Sequence, residues 1–379
     1  MRGKAQFVKG VVAIRAFKRG SSVLRSRARK KLETTFKPGR HSGDALVAMP
    51  CCSGGSLPEM GGAGCQPKGG IAGRAADRIA DNRLLLSALL VHSGGVEPLS
   101  ADEIRRTVAL ALAEDTGSGD VTTLATVPET AQSKAEVRAR EPLVVAGLAL
   151  AEAAFRELSP AVQVTRFVED GQHVAENKPL MGVAGTARAL LGAERVALNF
   201  LQRLCGIATL TAQFVDAVKG TGAQILDTRK TTPGWRRLEK YAVACGGGRN
   251  HRLGLFDLVL IKDNHLAALR NELPNAIAAA VQRARAKYPQ LKVEVEADTL
   301  EQVDQAVVAG ADIILLDNMN LVQLRVSVLK CKDRVQTEAS GGVSLAGVRA
   351  IAETGVDFIS VGALTHSARA VDIGLDFEL

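Results

Sequence analysis

The segment KVEVEADTLEQVDQAVVAGADIILLD (residues 292–317) contains one strand–helix–strand unit, and this unit decides the fold. Its first and last parts, KVEVEA and DIILLD, are short apolar runs rich in β-branched residues, which is typical of buried strands. The intervening LEQVDQAVVAG has the length and apolar spacing of a helix. Alternation of this kind predicts parallel strands that are buried on both faces.

The same pattern recurs along the whole C-terminal half. Six predicted strands follow one another: AQILDT (223–228), DLVLIKD (257–263), KVEVEA (292–297), DIILLD (312–317), RVQTEAS (334–340) and DFISVG (357–362). Helical patterns of ten or more residues separate most of them. Six or seven such units in succession favour a closed parallel α/β barrel over an open sheet.

A second type of structure precedes the barrel. Ser100, with Glu103 three residues later, predicts a capped helix that ends at Gly117. Residues 134–187 alternate between short strands and turns, with one helix at ALAEAAFREL, and a long helical region follows. We therefore predict an N-terminal α+β domain over residues 91–200 and a barrel domain over residues 201–363.

The first 90 residues differ in composition from the rest. They carry 17 Lys/Arg against 5 Asp/Glu, whereas the other residues carry 31 against 35, so the basic charge belongs to this extension. The extension has no sustained periodicity, which favours disorder.

Three interpretations of the extension remain. It could be a transit peptide, a nucleic-acid-binding arm, or a non-functional extension translated from upstream of the true start, and the last is favoured. Nucleic-acid binding is disfavoured because no aromatic residues interleave the basic cluster.

The cysteines and the apolar runs favour a cytoplasmic location. The six cysteines form no C-x-x-C pair or metal pattern, and this is typical of reduced cysteines in the cytoplasm. The apolar run LLLSALLV (84–91) is far too short to span a membrane.

Polar or glycine residues end every predicted barrel strand. Because the carboxyl ends of parallel strands meet on one face, where such barrels place their active sites, we expect these residues to form a binding rim. They are Asp227-Thr228-Arg229-Lys230, Lys262-Asp263, Glu296, Asp317-Asn318, Ser340-Gly341-Gly342 and Gly362.

The rim residues sort by charge into three groups. The cations are Arg229, Lys230, Arg252 and Lys262, joined by His251, and the acids are Glu296 and Asp317. The sequence SGG (340–342) at a late strand end, with a helix predicted after it, is typical of a phosphate-binding loop. Together these groups predict one phosphorylated, polyhydroxylated substrate and a second, strongly anionic one.

Eight motifs give the chain a resemblance to the quinolinate phosphoribosyltransferase family. In order from about residue 95 to the C-terminus they are EDTGSGDVTT, GAERVALNFLQRLCGIAT, LDTRKTTPGWRRLEKYAVACGGGRNHRLGL, LIKDNH, EVEADTLEQ, ILLDNM, EASGGVSL and SVGALTHS. The resemblance covers the whole chain except the extension. It implies an α/β N-terminal domain, completed by residues 364–379, and an incomplete parallel α/β barrel of about seven strands.

The resemblance also implies a reaction and an assembly. Such enzymes transfer phosphoribose from phosphoribosyl pyrophosphate to the nitrogen of quinolinate with Mg²⁺, releasing pyrophosphate and CO₂ and giving nicotinate mononucleotide in NAD biosynthesis. They work as homodimers or larger assemblies such as hexamers, in which Arg195 reaches the site of the neighbouring subunit.

Site roles follow from the resemblance position by position. The quinolinate carboxylates would be bound by Arg195, Arg229, His251, Arg252 and Lys262. Lys230 would contact phosphoribosyl pyrophosphate, and Glu296 and Asp317 would bind ribose hydroxyls and Mg²⁺, directly or through water. The catalytic group would be Lys262, Glu296 and Asp317. The 5′-phosphate would be bound by Ser340, Gly341, Gly342 and Gly362, with His366 nearby.

Simpler explanations remain for several residues. Lys262 and Arg252 could be salt-bridge partners of Glu296 and Asp317, His251 could be a core histidine, and Arg195 could be a solvated helix residue. Arg236, Arg237 and Lys240 are expected to be surface charges on the helix after Pro233, and Cys205 and Cys245 to be packing residues. Alternative functions are a Schiff-base barrel lyase that uses Lys262 as nucleophile and a related phosphoribosyltransferase-like protein associated with molybdenum transport.

Overall fold

The computed structural model describes residues 97–378. In chain order the helices are α1 (Ala101–Thr116), α2 (Val121–Thr126), α3 (Leu148–Leu158), α4 (Ala187–Ala217), α5 (Arg236–Cys245), α6 (Asp263–Ala268), α7 (Ala276–Lys287), α8 (Leu300–Ala309), α9 (Leu321–Cys331), α10 (Val348–Ala352) and α11 (Ala363–His366). The strands are β1 (Gln132–Ala139), β2 (Leu143–Val144), β3 (Gln163–Arg166), β4 (His173–Val174), β5 (Pro179–Thr186), β6 (Gln224–Leu226), β7 (Val259–Ile261), β8 (Val293–Ala297), β9 (Ile313–Asp317), β10 (Gln336–Ser340), β11 (Phe358–Ser360) and β12 (Ile373–Phe377).

The capped helix that was predicted after Ser100 is present at the start of the described residues. Helix α1 begins after Ser100, whose side chain accepts from the Glu103 amide in a full capping box, and it ends at Gly117. Strands β12, β1, β5 and β3 form an antiparallel sheet in that order. Strand β12 is the last strand of the described chain, so the C-terminal segment completes a sheet that begins at residue 132.

The C-terminal half is a parallel sheet in the order β6-β11-β10-β9-β8-β7. Each of the six strands lies within one of the six predicted runs, which confirms that prediction. The preference for a closed barrel is wrong, because no hydrogen-bonded ladder joins β6 to β7 among residues 97–378. Beyond the edge strand β6 there is only a single parallel bridge, from Leu226 to Arg249, so the barrel is incomplete.

Helix α4 links the two halves. It is 31 residues long and runs without a break through residue 200. Its buried face carries residues such as Leu201 and Leu204. At Gly206 a methyl group would lie 2.0 Å from the Arg369 carbonyl oxygen, so the C-terminal segment can pack here only against glycine.

The barrel interior and the surrounding shell are filled differently. Outward residues such as Val293, Val295 and Ile314 pack under the helices in the main core, as expected for strands that are buried on both faces. Inside the barrel, Leu258, Leu260, Ile313 and Leu315 form a separate small apolar cluster. The described helices include none that is long and apolar enough to cross a lipid bilayer.

Candidate active site

The carboxyl ends of β6 to β11 form one rim. Ser340 on β10 is the register partner of Asp317 on β9, and Glu296 on β8 is the partner of Leu315, two residues before Asp317. Lys262 follows β7 directly, and Gly362 follows β11 with Val361 between them. The sheet therefore aligns the polar strand ends as the sequence predicts.

The segment after β6 carries the first two rim cations, Arg229 and Lys230. A buried acid on α5, Glu239, anchors it by accepting hydrogen bonds from the Thr232 amide (3.1 Å) and hydroxyl (2.8 Å). On the other side, the Thr365 hydroxyl donates to the Lys230 carbonyl (2.7 Å). These contacts fix the backbone of the segment, while the Lys230 side chain stays exposed.

The second cationic segment, His251–Arg252, is held next to the first by Asp227. The His251 amide donates to the Asp227 carboxylate (2.8 Å), and the Lys240 ammonium group donates to the same carboxylate and to the His251 carbonyl (2.9 Å). Lys240 is only 2 % exposed. The prediction of Lys240 as a surface charge is therefore wrong, since its ammonium group is the buried counter-ion of Asp227.

The neighbouring cations of α5 are also engaged in the scaffold. Arg236 donates to the Leu253 carbonyl (3.1 Å), and Arg237 forms ion pairs with Glu97 (3.0 Å) and Glu103 (3.2 Å). Both side chains are partly buried, so they fasten α5 to the next loop and to the start of α1. The prediction that Arg236 and Arg237 are surface charges is therefore wrong for both residues.

The glycine triplet 246–248 permits close packing as well as a turn. A methyl group on Gly246 would lie 2.3 Å from the Ala208 carbonyl oxygen, and one on Gly248 would lie 2.7 Å from the Thr211 side chain. Only Gly247 has a left-handed backbone, with φ of 82°. The triplet thus lets the chain turn against α4 on its way to His251.

Arg229 and Arg252 form the most distinctive feature of the rim. Arg252 is 7 % exposed, and its pKa is lowered by burial and by the positive charge of Arg229. The Arg229 Nε is buried and has no hydrogen-bond partner among the described residues. Neither guanidinium has an ion-pair partner within residues 97–378. Arg252 also donates to the Leu258 carbonyl (3.3 Å). Guanidinium groups suit carboxylates, so two adjacent arginines without a salt bridge have the chemistry to bind an anion with two charges.

His251 points into the barrel interior, away from solvent. Its Nε2 lies 3.1 Å from a Glu294 oxygen and 3.5 Å from a Glu338 oxygen, and its Nδ1 accepts from the Arg252 amide (2.7 Å). Burial lowers the pKa of His251, but the carboxylates of Glu338 and Glu294 raise it to about 9. Both ring nitrogens face protein groups, as the core-histidine alternative expects.

Lys262 and Glu296 form an ion pair across the ends of β7 and β8. Glu296 is mostly buried, whereas the Lys262 side chain is 42 % exposed. Asp317 accepts a hydrogen bond from the Asn318 amide group (2.6 Å) and remains partly exposed. Two carboxylates at neighbouring strand ends supply the oxygen ligands that Mg²⁺ prefers.

The loop Ser340–Gly342 has the backbone expected of an anion-binding turn. Gly341 and Gly342 are exposed and both left-handed, with φ of 95° and 59°. A methyl group on Gly341 would lie 2.2 Å from the Asn318 side-chain oxygen, so only glycine fits there. The prediction that a helix begins directly after SGG is wrong. The next helix, α10, begins only at Val348 and is five residues long.

Gly362 brings the side chains of Lys230 and His366 together. A methyl group on Gly362 would lie 3.1 Å from both the Lys230 side chain and the His366 Nε2. His366 is exposed, and its Nδ1 lies 2.7 Å from the Ser367 hydroxyl. The ends of β6 and β11 thus converge on one glycine.

Three cysteines and one arginine lie away from this cluster. Cys205, Cys245 and Cys331 are free and buried. Arg195 is exposed on α4.

Several structural residues were absent from the sequence-based set. Glu294 and Glu338 lie fully inside the barrel, and Glu239 anchors the Arg229–Lys230 segment. The sequence does contain a signal for Glu294 and Glu338, because an acid in the middle of a strand that is predicted to be buried on both faces is unusual. Nothing local in the sequence indicates that Glu239 is buried.

Comparisons with known proteins match this architecture. The quinolinate phosphoribosyl transferase N-terminal domain matches residues 120–205, and the C-terminal domain matches residues 207–376. A Mycobacterium leprae protein, nicotinate-nucleotide pyrophosphorylase [carboxylating], is 47 % identical over 281 residues, which are 73 % of this chain and 97 % of that protein. A chloroplastic protein of the same name from Arabidopsis thaliana is 42 % identical, over 76 % of this chain and 86 % of that one.

Solved structures give the same result. A nicotinate-nucleotide pyrophosphorylase from Francisella tularensis superposes with a TM-score of 0.70 at 38 % identity, covering 75 % of this chain and 99 % of that one. One from Ehrlichia chaffeensis gives 0.69 at 39 % identity, with coverage of 74 % and 100 %. The incomplete barrel with a rim of cations and glycines is that of a phosphoribosyl-transferring enzyme. The chain belongs to the quinolinate phosphoribosyltransferase family.

Proposed function

We propose that this protein transfers phosphoribose from phosphoribosyl pyrophosphate to quinolinate, with loss of CO₂, to give nicotinate mononucleotide and pyrophosphate in NAD biosynthesis. The observation that carries the proposal is the Arg229–Arg252 pair, which forms no salt bridge with any acid of residues 97–378. Arginine forks bind carboxylates through parallel hydrogen bonds, and quinolinate presents two carboxylates side by side. Lys262 would complete this set from the end of β7.

Phosphoribosyl pyrophosphate would bind along the other half of the rim. The exposed amides of Gly341 and Gly342, with Ser340, fit the 5′-phosphate, and Lys230 and His366 meet beside Gly362. Glu296 and Asp317 fit the ribose hydroxyls. Both substrates would then lie above one sheet, with the ring nitrogen facing the ribose carbon.

The chemistry requires positioning and charge stabilisation. The bond from the ribose C1 to pyrophosphate breaks and a bond from C1 to the ring nitrogen forms. The ring is then cationic, so it can accept the electron pair left when CO₂ departs, and a proton replaces CO₂ on that carbon. Lys230 stabilises the pyrophosphate leaving group, and the rim carboxylates stabilise positive charge on the ribose. No covalent intermediate with Lys262 is needed, and its side-chain nitrogen is engaged by the Glu296 carboxylate rather than free to attack a carbonyl carbon.

We infer a requirement for Mg²⁺ from the same two acids. Their hard oxygen donors fit the ion, and Mg²⁺ would neutralise charge on the pyrophosphate. Glu296 would have to share its carboxylate between the ion, or an ion-bound water, and Lys262.

We also infer a homodimer, or a hexamer of such dimers, in which Arg195 reaches the partner's site. Its exposure on α4 supports this, because no described residue engages it. Mixing two variants, Arg195→Ala and Arg252→Ala, tests the idea. Subunit exchange should restore about a quarter of native activity through hybrid dimers with one intact site. No recovery after verified exchange would contradict the shared site.

The direct test of function is release of labelled CO₂ from carboxyl-labelled quinolinate. It should require both phosphoribosyl pyrophosphate and Mg²⁺, and nicotinate mononucleotide should accumulate in equal amount. Release without phosphoribosyl pyrophosphate, or none with all components present, would contradict the proposal.

The cytoplasmic location stays a prediction, since plant relatives are named chloroplastic or mitochondrial.

A further inference from the structure

Arg203 on α4 donates hydrogen bonds to three acceptors from different parts of the chain. Its guanidinium donates to the Glu239 carboxylate (3.0 Å), to the Ala368 carbonyl (2.6 Å) and to the Thr365 carbonyl. The side chain is 26 % exposed. The first and third of these acceptors each hold a chain segment that carries rim residues.

The Glu239 contact supports the Arg229–Lys230 segment. Glu239 is 0 % exposed and holds this segment by accepting from the Thr232 amide and hydroxyl. Within residues 97–378, Arg203 is the only residue that forms a salt bridge with Glu239. A carboxylate that is buried without its cation is strongly unfavourable, so the anchor of the segment depends on Arg203.

The Thr365 contact supports the chain segment that faces Lys230. Thr365 lies in α11, is fully buried, and donates from its hydroxyl to the Lys230 carbonyl (2.7 Å). The next residue is His366, whose ring lies beside Gly362 together with the Lys230 side chain. Through one guanidinium, Arg203 therefore fastens both segments that bring Lys230 and His366 together.

The other half of the rim has a separate buried ion pair. Asp227 and Lys240 hold the His251–Arg252 segment, and Arg203 has no hydrogen bond or salt bridge to either of them within residues 97–378. Lys240–Asp227 thus supports the dicarboxylate half of the rim, and Arg203–Glu239 supports the phosphate half. A substitution of Arg203 should affect the phosphate half first.

We propose that Arg203 is a positioning residue for phosphoribosyl pyrophosphate. It fixes the backbones of Lys230 and His366 so that their side chains meet a phosphate group together. A planar guanidinium with five N–H donors can serve three acceptors in fixed directions, which the single ammonium group of lysine cannot do. The inference rests on the proposed function, because it requires that phosphoribosyl pyrophosphate binds beside Gly362.

Arg203→Lys in the full chain tests this, because it keeps a positive charge for Glu239 but cannot hold all three acceptors. The kcat/KM for phosphoribosyl pyrophosphate, measured by CO₂ release at saturating quinolinate, should fall at least about tenfold, since a displacement of about 1 Å can cost about 10²-fold. The dissociation constant of quinolinate, measured by calorimetry, should stay within about threefold of native, because sites without shared partners vary independently. The matched control is Arg188→Lys on the same helix, where Arg188 donates to the Val127 carbonyl (2.9 Å), and it should leave both values native.

Thr365→Val is a second variant that acts on the same corner. It removes the hydroxyl that donates to the Lys230 carbonyl and keeps nearly the same side-chain volume. It should lower the same kcat/KM, and its effect should be less than additive with that of Arg203→Lys, because both variants act on one segment. If Arg203→Lys fails to fold, an unchanged kcat/KM in Thr365→Val would overturn the inference.

The outcomes keep the two proposals apart. An unchanged kcat/KM for phosphoribosyl pyrophosphate in Arg203→Lys would contradict the positioning role and leave the proposed function intact. Equal losses of this kcat/KM and of quinolinate affinity would show that the whole rim has loosened, and they would contradict the role in the same way. Absence of turnover of phosphoribosyl pyrophosphate by the native protein would contradict the proposed function itself, and this inference with it.

Discussion

Two groups of cations in one segment, residues 228–255, have opposite environments. The rim cations Arg229, Lys230 and Arg252 have no salt bridge among the described residues. The α5 cations Arg236, Arg237 and Lys240 are held by carboxylates or carbonyls of the scaffold. Residue type does not separate the groups, and neither does burial, since Arg252 is 7 % and Lys240 is 2 % exposed. The contacts of each side chain decide which cations are left for a substrate.

The comparison also shows how the two groups depend on each other. The Lys240–Asp227 pair positions the His251 backbone, and the α5 acid Glu239 anchors Thr232. The scaffold charges therefore hold the substrate-facing charges in place, and substitutions in the two groups should fail in different ways.

The largest effect is expected from a rim cation. Arg252→Met keeps most of the side-chain volume but removes the charge, and kcat/KM for quinolinate should fall about 10²- to 10³-fold, as for loss of one partner of a buried charged contact. Its thermal unfolding should stay close to native. Steady-state CO₂ release measures the first quantity and calorimetry the second. An activity within threefold of native would mean that Arg252 does not bind the substrate.

Lys240→Met should instead destabilise the fold. It leaves the Asp227 carboxylate buried without its partner, which costs about 3–5 kcal/mol in free energy of unfolding. Urea denaturation measures this loss, and the double variant Asp227→Asn, Lys240→Met should recover part of it. A loss below about 1 kcal/mol would show that the pair is not buried as described.

The smallest effect is expected from Arg237→Met. Its side chain is 31 % exposed and pairs with Glu97 and Glu103, so the free energy of unfolding should fall by less than about 1 kcal/mol. High salt should reduce the difference further. A change in kcat/KM of more than threefold would place Arg237 with the rim cations rather than with the scaffold.

Much of this division is visible in the sequence, and part of it is not. The six strands follow from β-branched runs, and Arg229, Glu296 and Ser340 follow from their positions at strand ends. The sequence does not show that Lys240 is buried, because its partner Asp227 lies 13 residues away and their contact depends on how α5 packs. For Gly341 the sequence shows the residue but not the reason for it. Only glycine fits at position 341 because the Asn318 side chain, at the end of a neighbouring strand, occupies the space that a Cβ atom would need.

The central claim is that the adjacent arginines Arg229 and Arg252 select a dicarboxylate. The most direct measurement is the ratio of kcat/KM for quinolinate to that for nicotinate, which lacks the second carboxylate, in the native protein and in Arg252→Met. We predict a native ratio of at least about 10³, corresponding to one buried charged contact, and a ratio lowered at least tenfold in the variant. Equal turnover of the two acids by the native protein, or a ratio unchanged by Arg252→Met, would contradict the claim.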